Sequence, residues 1–373
     1  MKPTPEGNGR MHGSWGRGGA HVLITGGAGF VGTNIASRLC REGRRVVLLD
    51  NLSRAGVERN VAHLRRQFPG LVELRAADVQ DTRAVRDCLA DAAAVVHLAA
   101  QVAVTSSLSD PAEDLRVNVL GTFGLLEELR RLSRPVPMIF TSTNKVYGDL
   151  SDLQLERADG RYRPVDERVR RRGVDELRPL DFHSPYGCSK GAADQYILDY
   201  SRSYGLPTAV FRMSCIYGVH QCGNEDQGWV AHMARSALER RPITIYGDGR
   251  QVRDVLFAGD LVEAFMLALS DFDRVRARAF NIGGGPENTL SLRELIAELA
   301  ARGLEPQVAY DGWRRGDQRW YVSDTGAFRR LTGWTPAVGV SEGIDRLIDW
   351  LREAQNPPAE APDRVAATEV ARR

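Results

Sequence analysis

The chain has 373 residues, of which 43% are hydrophobic and 26% charged, with a formal net charge of +2. That is enough apolar material for one large domain or two intimately joined ones, and the balanced charge gives no sign of a nucleic-acid partner. Five scattered cysteines (Cys40, Cys88, Cys188, Cys215, Cys222), none in CxxC spacing, fit free thiols in a reducing compartment better than a disulfide framework or a zinc site.

In chain order, residues 1–19 are Gly- and Arg-rich and lack the apolar run of a secretory signal, so they read as a disordered tail. Short β-branched runs follow at His21 to Thr25, Arg45 to Asp50, Val72 to Ala77, Ala94 to Leu98, Met138 to Thr141 and Thr208 to Met213. Helical patterns fall between them, as in Val31 to Arg41, where Val31, Ile35 and Leu39 share one face. Strand–helix alternation predicts an α/β fold, a Rossmann doubly wound parallel sheet over residues 20–214. Within it, residues 149–181 break into a charged, Arg-rich insertion or lid. Residues 215–354, with helices expected around Gly228 to Arg240, Leu292 to Ala301 and Ser341 to Glu353, read mainly as a smaller C-terminal substrate-binding lobe with some returns to the sheet. A Pro/Ala/Glu-rich stretch at 355–373 reads as a second disordered tail. Nothing approaches the length of a membrane-spanning helix. A cytoplasmic protein with no membrane partner is expected.

The first strand runs directly into Thr25-Gly26-Gly27-Ala28-Gly29-Phe30-Val31-Gly32. Gly26 and Gly29 permit a tight turn and let backbone N–H groups approach a pyrophosphate. Gly32 permits close helix–strand packing. The helix N-terminus, with its unpaired N–H groups, faces the phosphates. About twenty residues on, Asp50 ends the second strand, placed to accept from a ribose 2′-OH and to repel a 2′-phosphate. NAD is therefore the expected cofactor, although Arg54 stands close in sequence.

A second anchor is Tyr186-Gly187-Cys188-Ser189-Lys190. On a helix, positions i and i+4 share a face, and a nearby ammonium lowers a phenol's pKa toward that of a usable base. Together these residues resemble the extended short-chain dehydrogenase/reductase family, the NAD-dependent epimerases and dehydratases of nucleotide sugars. Asp78-Val79, His97-Leu98-Ala99-Ala100, Asn118, Arg253-Asp254, and Arg314 with Asp317 match further family motifs. The resemblance implies catalytic roles for Thr143, Tyr186 and Lys190. It implies a cofactor site of Gly26, Gly29, Phe30, Val31, Gly32, Asp50, Asn51, Asp78, Val79, Leu98, Ala99, Ala100, Gln101, Asn118, Tyr186 and Lys190. Substrate contacts are implied for Val102, Thr143, Asn144, Lys145, Arg253, Arg314 and Asp317, with the two arginines clamping a diphosphate. No metal is implied, and a homo-oligomer is, paired through the helices that carry Asn118 and Tyr186.

The residues after Thr143 discriminate among reactions. Dehydratases of this family carry Asp-Glu there as acid and base, whereas this chain has Asn144-Lys145, so elimination of water lacks both carboxylates. The strings SerThrAsnLysValTyrGly, Gln101-Val102-Ala103, His183-Ser184-Pro185-Tyr186 and Asp226-Gln227-Gly228-Trp229 are similar to the CDP-paratose 2-epimerase (CDP-tyvelose 2-epimerase) branch. Cys215 and Val219 depart from the wider family's RxxNxYGP pattern, so its substrate contacts do not transfer to that segment. The expected function is NAD-dependent epimerisation at C2 of a nucleotide sugar through a 2-keto intermediate. A UDP-sugar 4-epimerase on the same scaffold and a non-catalytic NAD(H)-binding regulatory protein are the alternatives.

Overall fold

The computed structural model describes residues 20–355 apart from residue 315. The expected tails lie outside the described residues, except that Gln355 closes the last helix. Seven parallel strands form the central sheet: β1 (His21–Thr25), β2 (Val46–Asp50), β3 (Val72–Ala76), β4 (Ala92–His97), β5 (Met138–Thr143), β6 (Thr208–Met213) and β7 (Ala279–Ile282). Their spatial order is β7-β6-β5-β4-β1-β2-β3. The order reverses between β1 and β4, the switch point where such sheets bind ligands beyond the strands' carboxyl ends.

Strand periodicity explains why the apolar runs are nearly continuous. Successive side chains leave a strand on opposite faces, and both faces here are covered. Val22, Ile24, Leu48, Val96, Ile139 and Phe211 pack into one apolar cluster. Leu23, Val47, Leu49, Val95, Phe140 and Val210 pack into another. On the first face α1 (Phe30–Arg41) buries Ile35, Ala36 and Leu39 and packs against α3 (Ala258–Ser270). On the other lies α2 (Ser184–Tyr204), which carries Tyr186 and Lys190.

The smaller lobe centres on the strand Val252–Phe257. It pairs with Thr289–Ser291, Trp320–Tyr321 and Cys215–Tyr217. A separate parallel pair joins Ile243–Tyr246 to Val308–Asp311. The charged insertion is more ordered than its composition implies. It folds into a hairpin, Leu155–Ala158 with Arg161–Pro164, and a short helix, Glu167–Arg172. Its apolar residues Leu155 and Val169 pack with Val252, Trp320, Tyr321 and Val322, while Arg161 Nε donates to Glu294 at 2.6 Å. Arg157, Arg163, Arg168, Arg171 and Arg172 face water, while Leu155, Val169 and Arg161 anchor the segment to the lobe. Among the described residues no helix is long and apolar enough to cross a membrane.

Candidate active site

Above the switch point, the β1–α1 turn makes the cradle expected for a dinucleotide. Gly26 has φ 66°, and a Cβ there would sit 2.8 Å from Ala99 N. A Cβ on Gly32 would sit 2.6 Å from Gly27 Cα. Only glycine fits either position, so backbone approaches backbone and leaves the α1 N-terminus open. Asp50 accepts from Ala28 N at 3.0 Å and Leu52 N at 2.9 Å. Each carboxylate oxygen keeps a further lone pair for a ribose hydroxyl. Asn51 Nδ2 donates to Asp78 Oδ2 at 2.7 Å, joining two expected adenosine contacts, and Val79 is buried beside them. The donor set therefore fits NAD, which supplies a hydride acceptor and donor when bound.

A buried relay holds the next wall. Thr25 Oγ1 accepts from Leu98 N and Ala99 N, both at 3.2 Å, so its own hydrogen goes to His97 Nδ1 at 2.6 Å. His97 Nε2 then donates to Thr122 Oγ1 at 2.9 Å, which donates to Asn118 O at 2.7 Å. Burial, followed by the Lys190 charge, pushes the His97 pKa down to about 3. The ring is thus neutral and serves as a spacer that fixes Leu98 and Ala99.

Asn118 and Gln101, both expected at the cofactor, are held by the protein around them. Asn118 lies in a π-helical turn, Arg116–Leu120, a deformation common at functional sites. Its amide is committed to Gln101 N and O, Asp114 Oδ1 and Ser189 Oγ at 2.9–3.2 Å. Gln101 in turn holds Ala103 O and Asp114 Oδ1. Both residues act on the protein, tying the π turn to α2. Neither side chain presents a free amide hydrogen to a cofactor.

Tyr186 and Thr143 meet at the mouth of this cleft. Thr143 caps the turn Asn144–Tyr147 by accepting from Lys145 N at 3.2 Å and donates to Asn144 Oδ1 at 3.3 Å, and both Thr143 and Tyr186 line the cleft. Burial pushes the Tyr186 pKa up to about 12, against the opposing pull of Thr143 and the Arg54 charge. Lys190 is buried too, with its ammonium 4.1 Å from the centre of the Phe140 ring. Burial lowers its pKa to about 7, against the Asp194 and Asp114 charges. Desolvation is the largest influence on both groups.

Asn144 and Lys145 turn toward the smaller lobe. Asn144 Nδ2 donates to Gln318 Oε1 at 3.0 Å, and Gln318 Nε2 to Gly148 O at 2.6 Å. Lys145 Nζ donates to Gly316 O at 3.0 Å. Burial and the Arg253 charge bring its pKa down to about 8. A cleft of about 400 Å³ joins these groups. Phe30, Val31, Val102 and Tyr186 line its cofactor side, and Tyr246, Arg253, Arg314 and Asp317 line the far side.

Both expected clamp arginines already hold carboxylates. Arg253 Nη2 donates to Asp317 Oδ1 at 2.6 Å. Arg314 lies 3.2 Å from Asp226 Oδ1 and 3.8 Å over the Tyr246 ring. Cys215 accepts from Trp229 Nε1 at 3.4 Å beside them. Glu225, Tyr246 and Gln318 carry no local signal in the sequence. Glu225 and Tyr246 reach the cleft only because distant segments converge, and Gln318, fully buried, acts on it through Asn144.

The model of the NAD-dependent epimerase/dehydratase family matches residues 22–283. CDP-paratose 2-epimerase of Salmonella typhi is 41% identical over 88% of this chain and 98% of its own length. UDP-glucose 4-epimerase of Mycolicibacterium smegmatis is 32% identical over 89% and 98%. The solved UDP-glucose 4-epimerase of Thermus thermophilus, in complex with NAD, superposes with a TM-score of 0.76 at 33% identity, over 90% of this chain and 99% of that one. The cradle, the placing of Thr143 and Tyr186 on one cleft and these likenesses agree: this chain belongs to the NAD-dependent epimerase/dehydratase family.

Proposed function

We propose that this NAD-dependent nucleotide-sugar epimerase inverts C2 of a CDP-linked sugar, in the manner of CDP-paratose to CDP-tyvelose. The observation that carries the reading is the convergence of Thr143 and Tyr186 on one cleft whose dehydratase positions hold Asn144 and Lys145. With an amide and an ammonium there, elimination of water has no carboxylate pair to run it. The similarity to CDP-paratose 2-epimerase supports C2 as the reacting carbon.

In this mechanism Tyr186 Oη takes the proton of the C2 hydroxyl while C2 gives up its hydride. Thr143 Oγ1 orients that oxygen. The planar 2-keto sugar turns and receives hydride on its other face as Tyr186 returns the proton. Lys190 holds the cofactor ribose and keeps positive charge beneath the phenolate. Arg253 and Arg314 are assigned to the diphosphate, whose entry must displace Asp317 and Asp226 from them.

The test is a panel of CDP-, UDP- and GDP-sugars with isomer formation read by NMR. Inversion of CDP-paratose at C2, with deuterium at C2 retained, is the expected result. Inversion of a UDP-hexose at C4 would favour the second reading, which the 4-epimerase relatives support. The assembly assigned here is an isologous dimer. Leu120, Phe123, Tyr196 and Tyr204 are 40–55% exposed at the end of the π turn, along Gly121–Arg130 and on α2, an apolar face that a second copy would cover. Light scattering on the purified protein tests it.

A further inference from the structure

We propose that Arg54 is a ligand of the cofactor's pyrophosphate and that Gln227, reaching across from the substrate lobe, latches it over the bound dinucleotide. A pyrophosphate carries two negative charges. The cradle meets it with backbone N–H groups and the partial charge of a helix end, and the first turn of α1, Phe30-Val31-Gly32, contains no cation. Arg54 stands in the turn after β2. Its partner Gln227 lines the cleft together with Phe30 and Val31 at the start of α1, which puts Arg54 beside the open end of the cradle; its charge is also felt at Tyr186 and Asp50.

What holds Arg54 there comes from the other lobe. Gln227 Oε1 accepts from Arg54 Nη1 at 2.8 Å. Gln227 belongs to a strap, residues 219–228, that leans on the Rossmann domain at several points. Asn34 Nδ2 donates to Val219 O at 2.9 Å. The His220 ring lies 4.6 Å from that of His63. Cys222 Sγ comes so close to Gly56 that an added Cβ would sit 3.2 Å from it. Within the strap, Asn224 and Gln227 exchange backbone hydrogen bonds of 2.9 and 3.2 Å, and Asn224 Oδ1 accepts from Asp226 N and Gln227 N. The amide of Gln227 is thereby presented at a fixed place. One guanidinium N–H serves it, and the rest of the planar fork remains for two phosphate oxygens.

The competing role for Arg54 is recognition of a 2′-phosphate, which would make the enzyme accept NADP. Asp50 opposes this. Its carboxylate is pinned at the end of β2 by Ala28 N and Leu52 N, where it repels a phosphate on the ribose, while Arg54 is drawn the other way by Gln227. The latch also explains how the strap can sense both sites, since its Asp226 pairs with Arg314 on the substrate side.

The experiment measures cofactor retention, so it is independent of which carbon is inverted. Wild type, Arg54→Met, Gln227→Ala and the double variant are purified, their NAD content is measured after denaturation, and NAD release is followed by chase with a fluorescent etheno-NAD. Loss of a charge-assisted contact predicts release about 10- to 100-fold faster in Arg54→Met. Gln227→Ala accelerates release less, and the double variant matches Arg54→Met, because Gln227 acts through Arg54. Arg54→Lys, which keeps the charge and loses the fork, falls between; it carries the test should Arg54→Met not fold. Unchanged release in Arg54→Met and Arg54→Lys overturns the proposal. So does additivity of the two single variants, or a loss of NADP affinity with NAD retention intact.

Discussion

Two buried cations bracket the same stretch of α2, and they are treated in opposite ways. Arg212, on β6, is fully committed: Nε and Nη2 hold both oxygens of Asp194 at 2.9 Å, and Nη1 donates to Tyr147 Oη at 3.1 Å. Tyr147 Oη passes on to Asn281 Oδ1 at 2.8 Å, so the network crosses from β6 to β7. Burial works against the Arg212 cation, but Asp194 outweighs it and the pKa is raised. Lys190, four residues before Asp194, has an aromatic face for company and a pKa brought down to about 7. The fold commits Asp194 to the cation that braces the sheet and leaves Lys190, to which the proposed mechanism gives the catalytic role, with no carboxylate in salt-bridge contact among the described residues. A cation held that way can respond to a phenolate and a ribose, whereas a saturated one cannot.

The comparison can be broken at either end. Tyr186→Phe is expected to show the largest effect, a fall in kcat of about 10²- to 10⁴-fold with an unchanged circular dichroism spectrum. Asp194→Ala strands Arg212 in the interior. It should cost about 3–5 kcal/mol of stability, read as a lower midpoint in chemical denaturation. Lys190→Met should do the reverse, lowering kcat by roughly 10²-fold while leaving the midpoint equal or higher, since it removes a buried cation that no carboxylate neutralises directly. A loss of stability comparable to that of Asp194→Ala would erase the distinction between the two sites.

The pH dependence sharpens the same contrast. Unfolded lysine binds its proton up to about pH 10.5 and folded Lys190 only to about 7. Between those values the unfolded state holds the extra proton, so this group makes stability fall as pH drops through the window. Lys145 adds a slope of the same sign between about 10.5 and 8. Lys190→Met should therefore flatten the stability profile on the alkaline side of pH 7, and an identical slope in wild type and variant would contradict the assignment. The smallest effect belongs to Arg161→Ala in the insertion. Its half-exposed pair with Glu294 is worth at most about 1 kcal/mol, and turnover should not change.

The elements legible in the sequence are those whose signal is local. β1, β6 and the helix Leu292–Ala301 match their expected bounds. The others shift by a residue or two at the ends, where hydrogen bonding decides more than pattern does. The insertion is harder to read. Its arginines point to a solvated segment, but the alternation of apolar residues within Leu155–Pro164 is too brief to separate a hairpin from a loop. In the site, Thr143, Tyr186 and Lys190 stand out by spacing and motif. Gln318, Glu225 and Tyr246 do not, because each lies far along the chain from the groups it touches and belongs to no periodic pattern.

The doubly wound sheet, the glycine cradle with Asp50, and the absence of a carboxylate pair after Thr143 are all written into the amino-acid order. They follow from side-chain periodicity, from backbone positions that admit no Cβ, and from residue chemistry, all properties of short segments. Which neighbours those segments meet is settled by tertiary packing alone. Packing turns Asn118 and Gln101 inward as braces, puts carboxylates on Arg253 and Arg314, and lets burial set the charges of Tyr186 and Lys190. It also brings Gln227 to Arg54, across 173 positions of chain. Desolvation and long-range pairing arise only once the chain has closed on itself.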